Sequence, residues 1–143
     1  SILKVAPERN VTFSWKALQF EGDTGPYLQY ACARINSILR KHGRKIDSKV
    51  DFSLLKTEEE MNLIKLLSNF SDIIEEAERT FKPTVITNYL YNLAQNFSLF
   101  YSKCPVLRAD EELKKIRLLL TSCVKQVLEN GLGILGIETL EKM

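Results

Sequence analysis

The chain has 143 residues, 45% of them hydrophobic and 27% charged, with a formal net charge of +2. That is enough length and apolar content for one domain with its own core, and no run approaches the roughly 18 apolar residues of a membrane span. Three cysteines and one histidine cannot supply the paired ligands of a familiar zinc site, so no metal is expected. Cys32, Cys104 and Cys123 read as reduced thiols of a cytosol-like compartment.

The small net charge hides an uneven spread. Residues 1–56 sum to +5, residues 57–81 to −5 and residues 82–143 to +2. A basic first third suits a polyanionic partner.

Residues 1–19 carry no clean period. Val11, Phe13 and Trp15 alternate with Thr12 and Ser14, which permits a short strand or an extended arm. The chain opens on Ser1 without a Met and shows no signal peptide. Residues 1–19 are therefore expected to be a lead-in arm from a preceding domain, and residues 20–143 a helical domain.

The stretch Phe20–Arg44 is the most informative. An acidic, Gly-rich turn (Glu21 to Gly25) leads to Pro26, whose missing N–H is harmless at a first helical position. Leu28, Ala31, Ile35, Ile38 and Leu39 then share one apolar arc, predicting a helix over Pro26–Lys41 that stops near His42-Gly43. Tyr27, Tyr30, Arg34 and Lys41 fall on a second stripe about 90–110° round from the first. One face packs, and its neighbour offers two rings with two cations, the chemistry of a single-stranded RNA reader: rings stack on bases and cations hold phosphate. Arg40, Arg44, Lys45 and Lys49 add phosphate attraction or are solvated surface charge.

Residues 43–56 form a polar connection. Thr57 and Glu60 spell a capping box, with Glu58, Glu59 and Glu60 favourably placed against the helix dipole. From there Leu63, Leu66, Leu67, Phe70, Ile73, Ile74, Ala77 and Phe81 predict one long scaffold helix. Lys82-Pro83 breaks it, and a third helix is expected over Pro83–Ser102, with Ile86, Tyr89, Leu90, Leu93, Phe97 and Phe100 inward. Its other face holds Asn88, Asn92, Gln95, Asn96, Ser98 and Ser102, and no charge occurs between Lys82 and Lys103. Such a face is buried against a neighbour, where charge is expensive, is simply solvated, or lies along RNA, where amides read base edges.

A fourth helix is predicted over Asp110–Asn130, with Leu113, Ile116, Leu120, Val124, Val127 and Leu128 inward. Within it Arg117 reads as a structural residue paired to an acid. Asn130-Gly131 is the expected stop, and Gly131, Gly133 and Gly136 the backbone requirements of a tail turn. The sum is all-α, a helical bundle of about four main helices with a short N-terminal arm. A catalytic role finds no support: there is one histidine, no nucleophile–base pair and no phosphate-cradling loop, so no catalytic residue is assigned.

Three separated blocks carry a family resemblance. The run FEGDTGPYLQYACARINSIL closely resembles the opening of the C-terminal DALR anticodon-binding domain of arginyl-tRNA synthetases. KPTVITNYLYNLAQNFSLFYSKCPVL is similar to the family's Tyr-Leu-rich helix ending in Phe-Tyr, and IRLLLTSCVKQVLENGLGILGIETLEKM to its closing helix, Gly-Leu-x-x-Leu-Gly-Ile turn and terminal Met. The resemblance covers residues 11–143. It implies an anticodon-binding module of a class I aminoacyl-tRNA synthetase whose catalytic motifs, absent here, lie in a preceding Rossmann domain. That domain would use ATP and magnesium, and this one no cofactor. The implied partners are tRNA-Arg and the enzyme's own N-terminal catalytic domain, with no membrane. A monomer is expected, in the cytoplasm or in an organelle.

Carried over by position, the resemblance implies anticodon contacts from Tyr27, Gln29, Tyr30, Arg34, Tyr101 and Met143, with Arg40, Lys41, Arg44 and Lys45 attracting phosphate. Two departures stand out. Cys32 replaces the His many relatives have after Tyr-Ala, so a His-specific contact there is lost, and the loop SKCPVL lacks the Trp some relatives carry. Two other readings stay open: a helical protein-interaction domain docking through the amide face, and the anticodon module of a cysteinyl or glycyl synthetase.

Overall fold

Apolar residues recurring every three or four positions need one partner surface, and in this chain they find it in one another. The computed structural model describes residues 24–137, with α1 at Thr24–His42, α2 at Glu58–Ser68, α3 at Phe70–Thr80, α4 at Thr84–Lys103 and α5 at Glu111–Ile134. A single 3-10 turn at Phe52–Leu54 is the only other regular element among those residues. The lead-in arm and the Phe20–Asp23 part of the entry turn lie outside the described residues, as does Met143. No described helix is long and apolar enough to cross a membrane.

The hub is α4, which touches each of the other four α-helices. Its inward residues Ile86, Tyr89, Leu90, Leu93, Phe97 and Phe100 are all buried, as the periodicity predicted. They meet Leu28, Ile35 and Ile38 from α1, Leu63 from α2, Ala77 from α3 and Leu120, Val124 and Leu128 from α5 in one continuous core. Each fully buried aliphatic or aromatic side chain contributes about 1.5–3 kcal/mol relative to exposure.

α1 ends where Gly43 enters the left-handed region at φ 68° and its N–H closes on the Leu39 carbonyl at 3.1 Å. The capping box forms as read: the Glu60 N–H donates to Thr57 Oγ1 at 3.1 Å, and the Thr57 N–H to Glu60 Oε1 at 3.0 Å.

Three expectations need correction. The long scaffold helix is two helices, α2 and α3, stepped at Asn69. The Leu66 carbonyl accepts the Asn69 N–H at 3.1 Å and the Tyr89 hydroxyl at 2.6 Å, so it serves a tighter turn and a neighbouring helix. Phe81, expected inward, is 86% exposed. It caps α3 in the left-handed conformation at φ 54°, which swings its side chain off the apolar arc. The last helix runs through Asn130-Gly131 to Ile134 and turns instead at Gly136, φ 75°, where the Ile137 N–H reaches the Leu132 carbonyl at 2.9 Å. Gly131 is a contact point: a Cβ there would sit 2.6 Å from a methyl of the fully buried Leu90.

Candidate nucleic-acid interface

Helical spacing puts Tyr27, Tyr30, Arg34 and Lys41 along one side of α1, and packing then divides their roles. Tyr27 is half-buried, its ring 5.1 Å from that of Tyr91 on α4. Tyr30 is 55% exposed and offers an open ring. Gln29 is half-buried and engaged within the fold. Arg34 is exposed, with its guanidinium carbon 4.9 Å from the centroid of the Tyr101 ring on α4. Such a cation–π pair contributes about 0.5–1 kcal/mol at an exposed site, enough to bias the plane of the guanidinium. Tyr101 in turn stacks on Phe97 at 6.1 Å, and Phe97 meets Phe100 at 5.8 Å. Arg34 is thus the outer member of a column rooted in the core.

About two turns further along α1, Lys41 lines a cleft with Tyr101, Ser102, Pro105, Val106, Leu107 and Arg108. Lys41 and Leu107 also line an adjoining hollow with His42, Arg44, Glu111 and Lys114. The structure therefore brings Arg34 and Tyr101 together and puts Lys41 and Arg44 in hollows beside Tyr101, while the exposed ring of Tyr30 lies about one turn before Arg34 on α1. It does not bring Arg40 to those hollows: one residue is 100° of helix, and Arg40 lines a different groove with Asn36, Leu39 and Lys125. Lys45 is exposed and borders neither hollow.

The loop that forms the far wall of the cleft is fastened from inside. Arg117, 7% exposed, pairs through Nε with the fully buried Glu60 at 3.0 Å and donates from Nη1 to the Pro105 carbonyl at 2.7 Å. Burial alone pushes the Glu60 carboxyl up, but the Thr57 N–H, the Arg117 guanidinium and the Lys56 N–H together hold it below the usual carboxylate range. One buried carboxylate thus joins the α2 cap to the α4–α5 loop, the structural role the sequence suggested for Arg117. Lys103 adds a pair to Glu59 at 3.1 Å, and Cys104 Sγ lies 3.4 Å from Thr57 Oγ1.

Cys32 has 0% exposure and faces the core. Burial, helped by the Glu129 carboxylate and opposed by Lys125, raises its thiol to about 11. Cys32 is therefore a packing residue, off the ring-and-cation stripe. The amide face of α4 is solvated within this chain: Asn88, Asn92, Gln95 and Ser102 are exposed, while Asn96 and Ser98 are half-buried. Asn96 Nδ2 donates to the Asn92 carbonyl at 2.8 Å and to Asn92 Oδ1 at 2.9 Å. Arg108 and Lys114 were not anticipated as cleft residues. Arg108 sits in a loop that carries no period, and Lys114 reads as one more surface charge on α5.

Residues 28–143 match the DALR anticodon binding domain family. Over its whole length the chain is 47% identical to an arginine–tRNA ligase of Thermococcus kodakarensis, of which it covers 24%. Over 99% of its length it is 44% identical to that of Clostridium botulinum, of which it covers 25%. Among solved structures it superposes on arginyl-tRNA synthetase from Thermus thermophilus with a TM-score of 0.86 at 38% identity, covering 98% of this chain and 25% of that one. The synthetase from Plasmodium falciparum gives 0.84 at 31% identity, covering 99% and 25%. The chain spans about a quarter of the length of these relatives. With an all-helical fold over its described residues and a family match across most of its length, the chain belongs to the DALR anticodon-binding domain family.

Proposed function

We propose that this chain is the anticodon-binding module of an arginine–tRNA ligase, gripping the anticodon loop of tRNA-Arg so that the acceptor end reaches a separate catalytic domain. The observation that carries the reading is the grouping of Arg34 over Tyr101 beside Lys41, with the open ring of Tyr30 on the same stripe of α1. Stacking surfaces next to cations are what a splayed-out RNA loop requires, and stacking is worth about 1–3 kcal/mol per base. Arg34 presents its guanidinium plane, Tyr101 supports it, and Tyr27 braces α1 against Tyr91 while keeping part of its ring exposed. Met143, beyond the described residues, is proposed as a further contact from the tail.

In this reading the chemistry lies elsewhere. ATP and magnesium serve the catalytic domain, which joins arginine to the tRNA. This module acts by position and affinity, as part of a monomeric enzyme in the cytoplasm. The relatives named arginine–tRNA ligase at 43–47% identity favour arginine over the cysteinyl and glycyl alternatives.

The test is a fluorescence-anisotropy titration of the chain with a tRNA-Arg transcript and with a transcript altered only at the middle anticodon base. Tighter binding of the unaltered transcript supports the reading. Equal binding of both removes the anticodon from it. No binding to either at low salt favours a protein-interaction domain docking through the amide face.

A further inference from the structure

The geometry points to a phosphate-holding cleft between the end of α1 and the α4–α5 loop, where Arg108 acts with Lys41 and Arg44 on the backbone of a single-stranded RNA loop. This rests on the function proposed above and adds Arg108, a residue that neither the helical stripe nor the family blocks single out. The two adjoining hollows are lined by Lys41, Arg44, Arg108 and Lys114 against one carboxylate, Glu111. That carboxylate is already 3.3 Å from Lys114 Nζ. Lys41, Arg44 and Arg108 are exposed and have no ion-pair partner among the described residues.

A blander role accounts for part of this. Lys41 lies in the last turn of α1, where a cation complements the helix dipole. That explanation does not reach Arg108, which belongs to no helix and whose loop is held by the Arg117 grip on the Pro105 carbonyl at 2.7 Å. A cation on a fastened loop loses less freedom on binding than one on a loose loop. The hollows are open, and the charged side chains lining them are exposed or half-buried, with no buried side-chain donor to enclose a small free anion. They suit a polyanion that lies across both, entering from the Tyr101 side where the stacking surface is.

The test is the salt dependence of tRNA-Arg binding by the whole chain, measured for Arg108→Gln, Arg108→Lys and Lys65→Gln. Lys65, exposed on α2, controls for the loss of one charge. Each phosphate contact on a single strand contributes about 0.7 to the slope of log affinity against log salt. Arg108→Gln should lower that slope by about this amount and weaken binding roughly three- to tenfold, equally for the middle-base variant. Arg108→Lys should restore most of the slope, and Lys65→Gln should leave it unchanged. If the wild-type chain binds with anticodon preference while Arg108→Gln behaves like Lys65→Gln, the cleft is overturned and the anticodon reading stands. If the wild-type chain does not bind tRNA, both fall together.

Discussion

The two ends of α4 are built on opposite plans. At its C-terminal end the chain is fastened and cationic: Arg117 reaches from α5 to Glu60 and to the Pro105 carbonyl, and Lys41, Arg44 and Arg108 crowd the surface. At its N-terminal end the chain is lightly closed and anionic. Phe81 turns the corner in a left-handed conformation with its ring in solvent, and Asp72, Glu75, Glu76 and Glu78 line an open hollow on α3 with Arg79 as its cation. Between the ends runs a helix with no charge from Val85 to Ser102. If the proposed cleft holds an RNA backbone, the fastened end is the cationic one and the anionic hollow lies away from it. The comparison also separates two kinds of strong local feature, a buried ion pair that fixes geometry and a strained residue that merely closes a turn.

The difference can be broken most severely at the fastened end. Removing one partner of a buried pair leaves the other charge uncompensated, which costs about 3–5 kcal/mol. Arg117→Met should lower unfolding free energy by that order in a urea titration, and a loss below about 1 kcal/mol would show the pair to be dispensable. The middle of the helix offers the next largest effect. Gly131→Ala places a methyl against the fully buried Leu90, whose side chain must then shift within the core, so a loss of about 1–3 kcal/mol is expected in the same titration.

The lightly closed end should respond with the opposite sign. Phe81→Gly relieves a left-handed residue whose side chain makes little use of burial, and thermal unfolding should show a gain of about 1 kcal/mol. A loss would mean that the exposed ring packs in solution. Thiol labelling sharpens the contrast without a stability measurement. Cys123 is exposed, while Cys32 and Cys104 are buried, so a thiol reagent near pH 8 should modify Cys123 first. Arg117→Met should add Cys104, next to the loop it frees, before Cys32. The sign of the Cys32 shift gives a pH window. A thiol raised from 9.0 to about 11 on folding contributes stability in full below about pH 9 and loses it as pH rises to about 11. Cys32→Ala should flatten that part of the alkaline unfolding curve.

Much of this contrast was legible in the chain, and the misses share a cause. The α1 arc, the capping box at Thr57 and Glu60 and the span of α4 depend on neighbours three or four residues away, which periodicity detects. The step at Asn69 depends on a hydroxyl from Tyr89 on another helix, and Gly131 on the methyls of Leu90. Phe81 fits the apolar arc by number, and only its backbone conformation takes it out. Within the candidate site, the α1 stripe was readable, but the separation of Arg40 from Lys41 follows from what packs on either side of the helix. Arg108 lay beyond the reach of pattern because a loop has none.

The ring stripe of α1 carries the central claim, and one affinity comparison tests it. Binding of tRNA-Arg is measured for the wild-type chain and for the double variant Tyr27→Ala/Tyr30→Ala, with circular dichroism confirming that both are folded. Loss of the open Tyr30 ring and of the exposed part of Tyr27, with stacking at about 1–3 kcal/mol per base, predicts binding weaker by about tenfold or more. Unchanged affinity in a folded double variant would contradict the account, and the anticodon contact would have to be sought on another face.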